Sequence, residues 1–482
     1  LLSELRLGNL NILREDFREL DELGMKQSFI SVIREIFDQA INLDSHARAI
    51  VVDIKPERII YLDDDFKLQN LPWSDDYKWA RRRITINSFG PTPQNFYDVL
   101  SIGDLIYLQD NGATRMLDQL PEAEAAFISS NPSTGAILSY QGGFTFAKSN
   151  FDRVKQSFPQ AGSSFKPFIY SAAFANGYGP SETINDAPLI FEDKNLESSW
   201  RPENYTGRFS GSIRLREALV QSVNIVSIKL LRELGIDNAH AFLENFGFSK
   251  ARLAPNLSLA LGSSSFSPAE MIRAYNFLAN SGQGEDLYFI EKIVDRNENI
   301  IFQHPRLQDQ LITESQIDKF PWFSDDLTES AQPFSLIPKL DSQKRSIDPK
   351  IAFITKDILQ EALQRGGNGR KTEILNRSDI AGKTGTTNDA ISTWFSGFHK
   401  DLSATIWVGT DDFSSLGDNE FGSSIALPIW VDFMDIALKE VPEDPWRTPP
   451  GLSYIKVNKD TGKPTKKLDE NSYFELFIDE AN

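Results

Sequence analysis

The spacing of hydrophobic and polar residues changes along the chain, and its first half predicts two segments. Residues 1–44 carry apolar side chains at helical spacing among many charges, which predicts a helical linker or docking segment. Residues 45–117 contain short β-type runs separated by turn signals, at 48–54, 57–62 and 103–110. Several short strands in so short a stretch predict a small all-β unit, either a barrel or a sandwich.

The second half has a different texture, with strands at both ends of a helical middle. A hairpin is predicted over 125–143, helical patterns cover 213–235 and 267–282, and strand patterns return at 379–387, 392–399 and 402–412. This order predicts an α+β domain over 118–440, with a sheet closed by the two ends of the segment. Residues 441–482 are rich in proline and charge, so we expect a mostly extended or loose tail.

Composition narrows the classes of function. The net charge of −18 argues against nucleic-acid or anionic-membrane partners, which need basic patches. Cysteine is absent, which excludes disulfides, thiolate metal sites and cysteine nucleophiles. The four histidines lie in unrelated contexts, so we expect neither a Ser-His-Asp triad nor a metal site, and no cofactor. No apolar run reaches membrane-spanning length, and the start at Leu1 suggests a piece of a longer protein.

One short stretch, "QAGSSFKPFIYSAA", carries candidate chemistry. Ser163 and Lys166 are three residues apart, so a helix beginning near Ser163 would place the hydroxyl and the ammonium on one face. Gly162 leaves the approach open, and Pro167 is tolerated only in a first helical turn. A serine needs a base to become a nucleophile, and a lysine serves only when neutral, which burial and a second cation favour.

The rest of the chain supplies the groups that this hypothesis requires. Hydroxyl, amide and ammonium groups follow in "QSVN" and "GKTGTT", namely Ser222, Asn224, Lys383, Thr384 and Thr386. The order S-x-x-K, S-x-N, K-T-G is the signature set of penicillin-binding proteins and class A β-lactamases. The surrounding stretches "WRPENYTGRFSGSIRLREALVQSVN", "LSLALGSSSFSPAEMIRAYNF" and "SDIAGKTGTTNDAISTWFSGF" resemble the transpeptidase domain of class A penicillin-binding proteins, in particular the Gram-negative type 1a subgroup.

The resemblance implies a fold and a setting. It implies a transpeptidase fold, with an antiparallel sheet between helical layers, preceded by a small OB-like domain that "WARRRITINSFGPTPQNFYDVLSIGDLIYL" resembles. It covers about residues 45–440, and nothing at the start resembles the glycosyltransferase domain or membrane anchor of the family. We therefore expect no glycan polymerisation from these residues. The full-length protein is expected to be periplasmic and anchored in the inner membrane, and the present residues to be soluble.

The resemblance also implies catalytic roles. Ser163 is expected to attack the carbonyl of the penultimate D-Ala of a peptidoglycan stem peptide, with Lys166 as its base. Ser222 is expected to pass a proton to the leaving amine with support from Lys383. Asn224 is expected to bind the substrate amide and to orient Lys166.

Substrate binding is implied on the third motif. Lys383, Thr384 and Thr386, with Gly385 between them, are expected to hold the terminal carboxylate. The backbone N–H groups of Ser163 and Thr386 are expected to form the oxyanion hole. Stem peptides ending in D-Ala-D-Ala and β-lactam antibiotics are the implied ligands, and cell-wall regulatory proteins are candidate partners of the OB-like domain.

Three alternatives share the motifs. A serine β-lactamase of class A needs a glutamate that activates water, but none of Glu233, Glu244, Glu270 and Glu285 has asparagine four residues on. A D,D-carboxypeptidase passes the acyl group to water, and the sequence separates it poorly from a transpeptidase. A β-lactam sensor uses the same pocket as a receptor, but follows a membrane signalling segment that does not occur here.

Overall fold

The chain forms two compact units, which a computed structural model describes for residues 26–43, 45–110, 114–189, 200–304, 346–365, 369–467 and 469–479. The first unit holds the described residues up to Glu122 together with Phe144–Phe151. The second unit holds Ala123–Gly143 and the described residues from Asp152 onward. Most of the predicted helical segment 1–44 lies outside the described residues, since only its last part is covered.

The strands are numbered in chain order. They are β1 His46–Lys55, β2 Arg58–Asp63, β3 Leu68–Pro72, β4 Arg83–Thr85, β5 Ser88–Phe89, β6 Leu105–Asp110, β7 Arg115–Asp118, β8 Glu124–Ser130, β9 Ile137–Gln141, β10 Thr183–Asp186, β11 Gly211–Arg214, β12 Lys292–Val294, β13 Ile300–Gln303, β14 Ala381–Thr386, β15 Ser392–His399, β16 Leu402–Gly409, β17 Leu452–Asn458 and β18 Ser472–Ile478.

The α-helices are numbered in the same way. They are α1 Lys26–Gln39, α2 Lys166–Ala175, α3 Leu215–Val220, α4 Asn224–Leu234, α5 Ile236–Leu243, α6 Pro268–Ala279, α7 Pro349–Arg365, α8 Gly369–Thr372 and α9 Ala426–Ala437. Within the described ranges, no helix combines the length and the apolar character that crossing a membrane requires.

The first unit is an antiparallel five-stranded sheet of order β3-β2-β1-β6-β7. Successive residues of a strand face opposite sides, and β1 shows this directly. Ala49 and Val51 enter one apolar cluster of the unit, whereas Ile50 enters another together with Phe37 of α1. The predicted helical segment therefore ends in a helix that packs on this sheet, and the β runs predicted over 45–117 are confirmed as strands.

The second unit is built on an antiparallel sheet of order β14-β15-β16-β8-β9. The strands from the two ends of the unit meet where β16 pairs with β8, which confirms the predicted closure of the sheet. Every residue of β15 and β16 is buried, because both faces of the sheet are covered. Strand β14 lies at one edge, and this edge carries the candidate site.

Helices cover the two faces of this sheet. On one face Trp394 and Trp407, opposite each other on β15 and β16, join a cluster with residues of α2, α4, α6 and α7. On the other face Phe395 and Ile406 pack in a cluster that includes Trp430 of α9. The expected arrangement of an antiparallel sheet between helical layers is confirmed.

The tail was expected to be mostly extended or loose; it is extended over Leu452–Asn458 and Ser472–Ile478, and it is not loose there. Strands β17 and β18 form an antiparallel hairpin, with Leu476 fully buried in the core of the second unit. Beside it, the buried Glu475 carboxylate accepts hydrogen bonds from Arg216 of α3, with Nε–Oε1 at 2.8 Å and Nη2–Oε1 at 2.6 Å. A buried ion pair and a buried leucine therefore attach the hairpin to the second unit. The proline-rich composition upstream of the hairpin did not indicate this attachment.

Candidate active site

The nucleophile candidate lies on a tight turn at the start of a buried helix. Gly162–Phe165 form a 3-10 turn that continues directly into α2, so the predicted helix start near Ser163 is confirmed. The Phe165 ring stacks on Phe266 in the core, with ring centroids 5.4 Å apart, which anchors the turn. Ser163 is half-buried, whereas its neighbour Ser164 is fully buried and donates to Ala161 O at 2.6 Å.

Close backbone packing requires glycine at two positions around this turn. Gly162 has φ +55°, and a Cβ built there would lie 2.7 Å from Thr386 O and 3.2 Å from Thr386 N. Gly385 on β14 is equally tight, since its Cβ would lie 2.6 Å from Ala161 O. The nucleophile turn and the edge strand are therefore in direct backbone contact.

Lys166 extends from the first turn of α2 to the second motif. Its Nζ donates to Asn224 Oδ1 at 2.7 Å, to Ser222 O at 2.6 Å and to Ser222 Oγ at 3.3 Å. Over the described residues, the hydrogen-bonding contacts of Nζ do not include Ser163. The structure thus brings Lys166, Ser222 and Asn224 together, as the sequence hypothesis requires.

The second motif sits in a break between two helices. The helical pattern over 213–235 predicted a continuous segment, but α3 ends at Val220 and α4 begins at Asn224. Ser222 lies in the gap with φ +58°, a left-handed conformation that is uncommon for a residue other than glycine. This conformation is consistent with a functional constraint, because it lets both the carbonyl and the hydroxyl of Ser222 face Lys166.

The third motif lies on the edge strand β14. Lys383 is 3% exposed, and its Nζ donates to Thr384 O at 3.2 Å. Thr384 and Thr386 are half-buried and alternate with the buried Lys383 and Gly385. The Thr386 hydroxyl accepts a hydrogen bond from Gly422 N at 3.0 Å, which fixes its side chain.

The two lysines of the site differ in how far their pKa values are lowered. Burial, followed by the nearby Lys383 ammonium, holds the pKa of Lys166 well below its ordinary value. Burial alone lowers the pKa of Lys383 to about 8. At neutral pH, Lys166 is therefore the better base and Lys383 retains most of its charge.

Several supporting residues escaped the sequence reasoning. Tyr275 of α6 donates to Ser164 O at 2.7 Å, and the Gly162 N–H donates to Gly262 O at 3.0 Å. Asn204 accepts hydrogen bonds from the N–H groups of Asn224 and Ile225, both at 3.1 Å. Tyr275, Gly262 and Asn204 lie in stretches that resemble the family, but the spacing of residues in these stretches does not show which of them face the site.

Comparison with known proteins agrees with this geometry. Residues 125–434 match the model described as "Penicillin binding protein transpeptidase domain", and residues 18–123 match "Penicillin-binding protein OB-like domain". Penicillin-binding protein 1A of Pseudomonas aeruginosa is 39% identical over 449 residues, which cover 90% of this chain and 54% of that protein. The chain thus spans about half the length of the curated relatives that it matches.

Solved structures give the same result. The crystal structure of penicillin-binding protein 1A from Haemophilus influenzae matches with a TM-score of 0.75 and 30% identity, over 93% of this chain and 65% of that one. PonA1 of Mycobacterium tuberculosis in complex with penicillin V matches with a TM-score of 0.52 and 25% identity, over 69% of this chain and 85% of that one. The chain belongs to the penicillin-binding protein transpeptidase family.

Proposed function

We propose that the chain is a serine D,D-transpeptidase, which cross-links peptidoglycan stem peptides and is acylated by β-lactams. One observation carries the proposal: the buried Lys166 amine meets Ser222 and Asn224 one helical turn from Ser163, with the backbone of β14 packed against the same turn. The arrangement unites a nucleophile, a base of lowered pKa and a cationic edge strand.

Acylation begins with proton transfer. A neutral amine has two N–H groups and one lone pair, and the acceptors Ser222 O and Asn224 Oδ1 take the two N–H groups. The lone pair remains to accept the Ser163 proton while Oγ attacks the carbonyl carbon of the penultimate D-Ala. The peptide C–N bond then breaks, the Ser222 hydroxyl passes the proton from Lys166 to the leaving amine, and D-Ala departs.

Two further interactions stabilise the reacting groups. The N–H groups of Ser163 and Thr386 supply the oxyanion hole, which is consistent with the close approach of Gly162 to the Thr386 backbone. The Lys383 ammonium with the Thr384 and Thr386 hydroxyls holds the terminal carboxylate of the substrate. Gly385 keeps the strand flush against the nucleophile turn, so the carboxylate site and the nucleophile stay at a fixed separation.

The second half of the reaction distinguishes the alternatives. The amine of a neighbouring stem peptide attacks the acyl-enzyme, which forms the cross-link and frees Ser163. In a β-lactam the cleaved amide is part of a ring, so no leaving group departs and the adduct persists. The relative with bound penicillin V supports this ligand class. A D,D-carboxypeptidase, in which water replaces the amine, is the second candidate.

A product assay decides between amine and water. The protein is incubated with a synthetic pentapeptide stem ending in D-Ala-D-Ala and with an excess of a D-amino acid as acceptor, and products are separated by mass. We expect the exchanged peptide to exceed the hydrolysed tetrapeptide, with both absent for Ser163→Ala and retained for the neighbouring Ser164→Ala. Hydrolysed tetrapeptide alone would favour the carboxypeptidase.

We also propose that different segments of the chain have different roles. Residues 118–440 carry the acylation, residues 45–117 are an accessory OB-like unit that it does not require, and 1–44 and 441–482 flank them. The full-length protein would work in the periplasm from an anchor in the inner membrane. Glycan polymerisation is not part of the proposed activity of these residues. A variant that begins near Leu120 and remains folded should bind penicillin, and failure to do so would contradict these roles.

Regulatory proteins of the cell wall are proposed to bind the OB-like unit near its small hairpin. Trp79, Ile84 and Phe89 are 48%, 66% and 51% exposed, and Arg82 is exposed between them along the chain. Exposed apolar groups beside a cation favour a partner with an acidic rim. A photo-crosslinking residue at position 84 should capture such a protein in cells, whereas one at Leu68, an exposed position of the same unit, should not.

A further inference from the structure

The catalytic candidate Asn224 is held from two directions by one short segment. Its side-chain Nδ2 donates to Glu203 O at 2.9 Å, which leaves Oδ1 turned toward Lys166. Its backbone N–H donates to Asn204 Oδ1 at 3.1 Å. Consecutive residues 203 and 204 therefore fix both the rotamer and the backbone of Asn224.

Asn204 acts as the missing cap of helix α4. The residue at the cap position is Val223, whose side chain offers no hydrogen-bond acceptor, so the first N–H groups of the helix need another partner. Asn204 Oδ1 accepts from two of them, those of Asn224 and Ile225. A cap supplied from 20 residues upstream couples the loop at 204 to the start of the helix that carries the motif.

A buried carboxylate fixes Asn204 in turn. Asn204 Nδ2 donates to Asp186 Oδ1 at 2.8 Å, to Asp186 Oδ2 at 3.0 Å and to Arg208 O at 2.9 Å. Asp186 is 1% exposed and also accepts from Ser210 N at 2.8 Å. Since a carboxylate can only accept, the end of the Asn204 amide that faces it must be the NH₂ group, and this determines the orientation of the amide.

We propose that Asp186 and Asn204 form a positioning pair for the general base. The pair sets Asn224, Asn224 Oδ1 takes one N–H of Lys166, and the lone pair of Lys166 is thereby directed to Ser163. The inference rests on the proposed acyl transfer, and deepens it by naming residues outside the three motifs. In the described part of the chain, the hydrogen bonds of Asp186 and Asn204 do not include Ser163 or Lys166, so the proposed effect of each residue on the base passes through Asn224.

A double-mutant cycle tests whether Asn204 acts through Asn224. Asn204→Ala, Asn224→Ala and the double variant are compared by their second-order rate of acylation by a fluorescent penicillin, and by Tm. We expect Asn204→Ala to slow acylation about tenfold or more in the wild-type background and about twofold or less in the Asn224→Ala background. Tm should fall by a similar amount in both backgrounds, since the cap is lost in both.

An exchange of side chains provides a rescue. In Asn204→Asp/Asp186→Asn, the carboxylate at 204 accepts the helix N–H groups and the amide at 186 donates to it, so the contacts to the helix and between the two side chains are kept, whereas the bond to Arg208 O is lost. We expect this variant to acylate faster than Asn204→Asp alone, because both lack the bond to Arg208 O and only the exchange variant restores a donor at 186. Failure of the folded exchange variant to acylate faster than Asn204→Asp would overturn the pair.

A matched control separates positioning from general stability. Asn131 in the β8–β9 turn is half-buried and accepts from Ser133 N and Thr134 N, at 2.9 and 3.1 Å. Asn131→Ala should lower Tm and leave acylation unchanged. Equal rate losses from Asn204→Ala in both backgrounds, or an equal loss from Asn131→Ala, would overturn the inference. Labelling of Ser163 in wild type would still stand in that case, so the proposed function is tested separately.

Discussion

Lys383→Arg is expected to remove the alkaline limb of the pH profile of acylation. Burial lowers the pKa of Lys383 to about 8, so its ammonium is lost on the alkaline side of that value. With that pKa, about nine tenths of the lysine is charged at pH 7 and about one tenth at pH 9. The carboxylate of a penicillin stays ionised throughout, so the wild-type rate should fall about tenfold between these pH values.

The charge on Lys383 also influences the pKa of the base. Its ammonium is the second cause, after burial, of the lowered pKa of Lys166, so neutral Lys383 also makes Lys166 harder to deprotonate. Arginine keeps its charge at pH 9 and therefore keeps both effects. The absolute rate of Lys383→Arg should be lower than that of wild type because the larger side chain disturbs a buried site.

The assay is the second-order rate of acylation by one fluorescent penicillin from pH 6 to 9.5. Circular dichroism at each pH confirms folding, and a blank without protein corrects for hydrolysis of the penicillin. We expect an alkaline limb with an apparent pKa near 8 in wild type and a flat profile above pH 7 in Lys383→Arg. The same alkaline limb in both proteins would refute the assignment of the limb to Lys383.

Further substitutions test other contacts. Lys166→Arg should acylate at a small fraction of the wild-type rate, because arginine does not deprotonate; a rate close to wild type in the same assay would remove Lys166 as the base. Glu475→Ala should lower the free energy of unfolding by about 2 kcal/mol in urea denaturation, because Arg216 loses its buried partner in the hairpin while it keeps Asp357 and Glu361, and an unchanged free energy would contradict a structural tail hairpin. Gly162→Ala should slow acylation at least about tenfold, since its Cβ would lie 2.7 Å from a β14 carbonyl at φ +55°; an unchanged rate would show that the turn is free to move.

Local patterns predicted the architecture well, because the physics behind them is local. Strand patterns over 392–399 and 402–412 predicted the two central strands, and the S-x-x-K spacing predicted the helix start at Ser163. Three motifs in order gave the side chains that meet at Lys166. The left-handed conformation of Ser222 could not be predicted, because it lies within a helical pattern and "QSVN" contains no glycine or proline that would indicate a helix break.

Contacts between distant positions could not be predicted in this way. Glu475 and Arg216 are separated by 259 residues, so the pairing that fixes the tail hairpin leaves no local signal. The cap from Asn204 to Asn224 likewise joins two positions 20 residues apart, for which no local pattern signals a contact. Sequence spacing shows which groups are available, and the tertiary fold decides which of them meet.

The central claim is that Ser163 is the acylated nucleophile. Intact mass spectrometry after incubation with penicillin should show one adduct, and peptide mapping should place it on Ser163. Ser164→Ala is the matched control, because that neighbouring hydroxyl is buried and donates to Ala161 O. A single adduct on Ser163, retained in Ser164→Ala and lost in Ser163→Ala, is the predicted result. An adduct on Ser164 or Ser222, or full labelling of Ser163→Ala, would contradict the account.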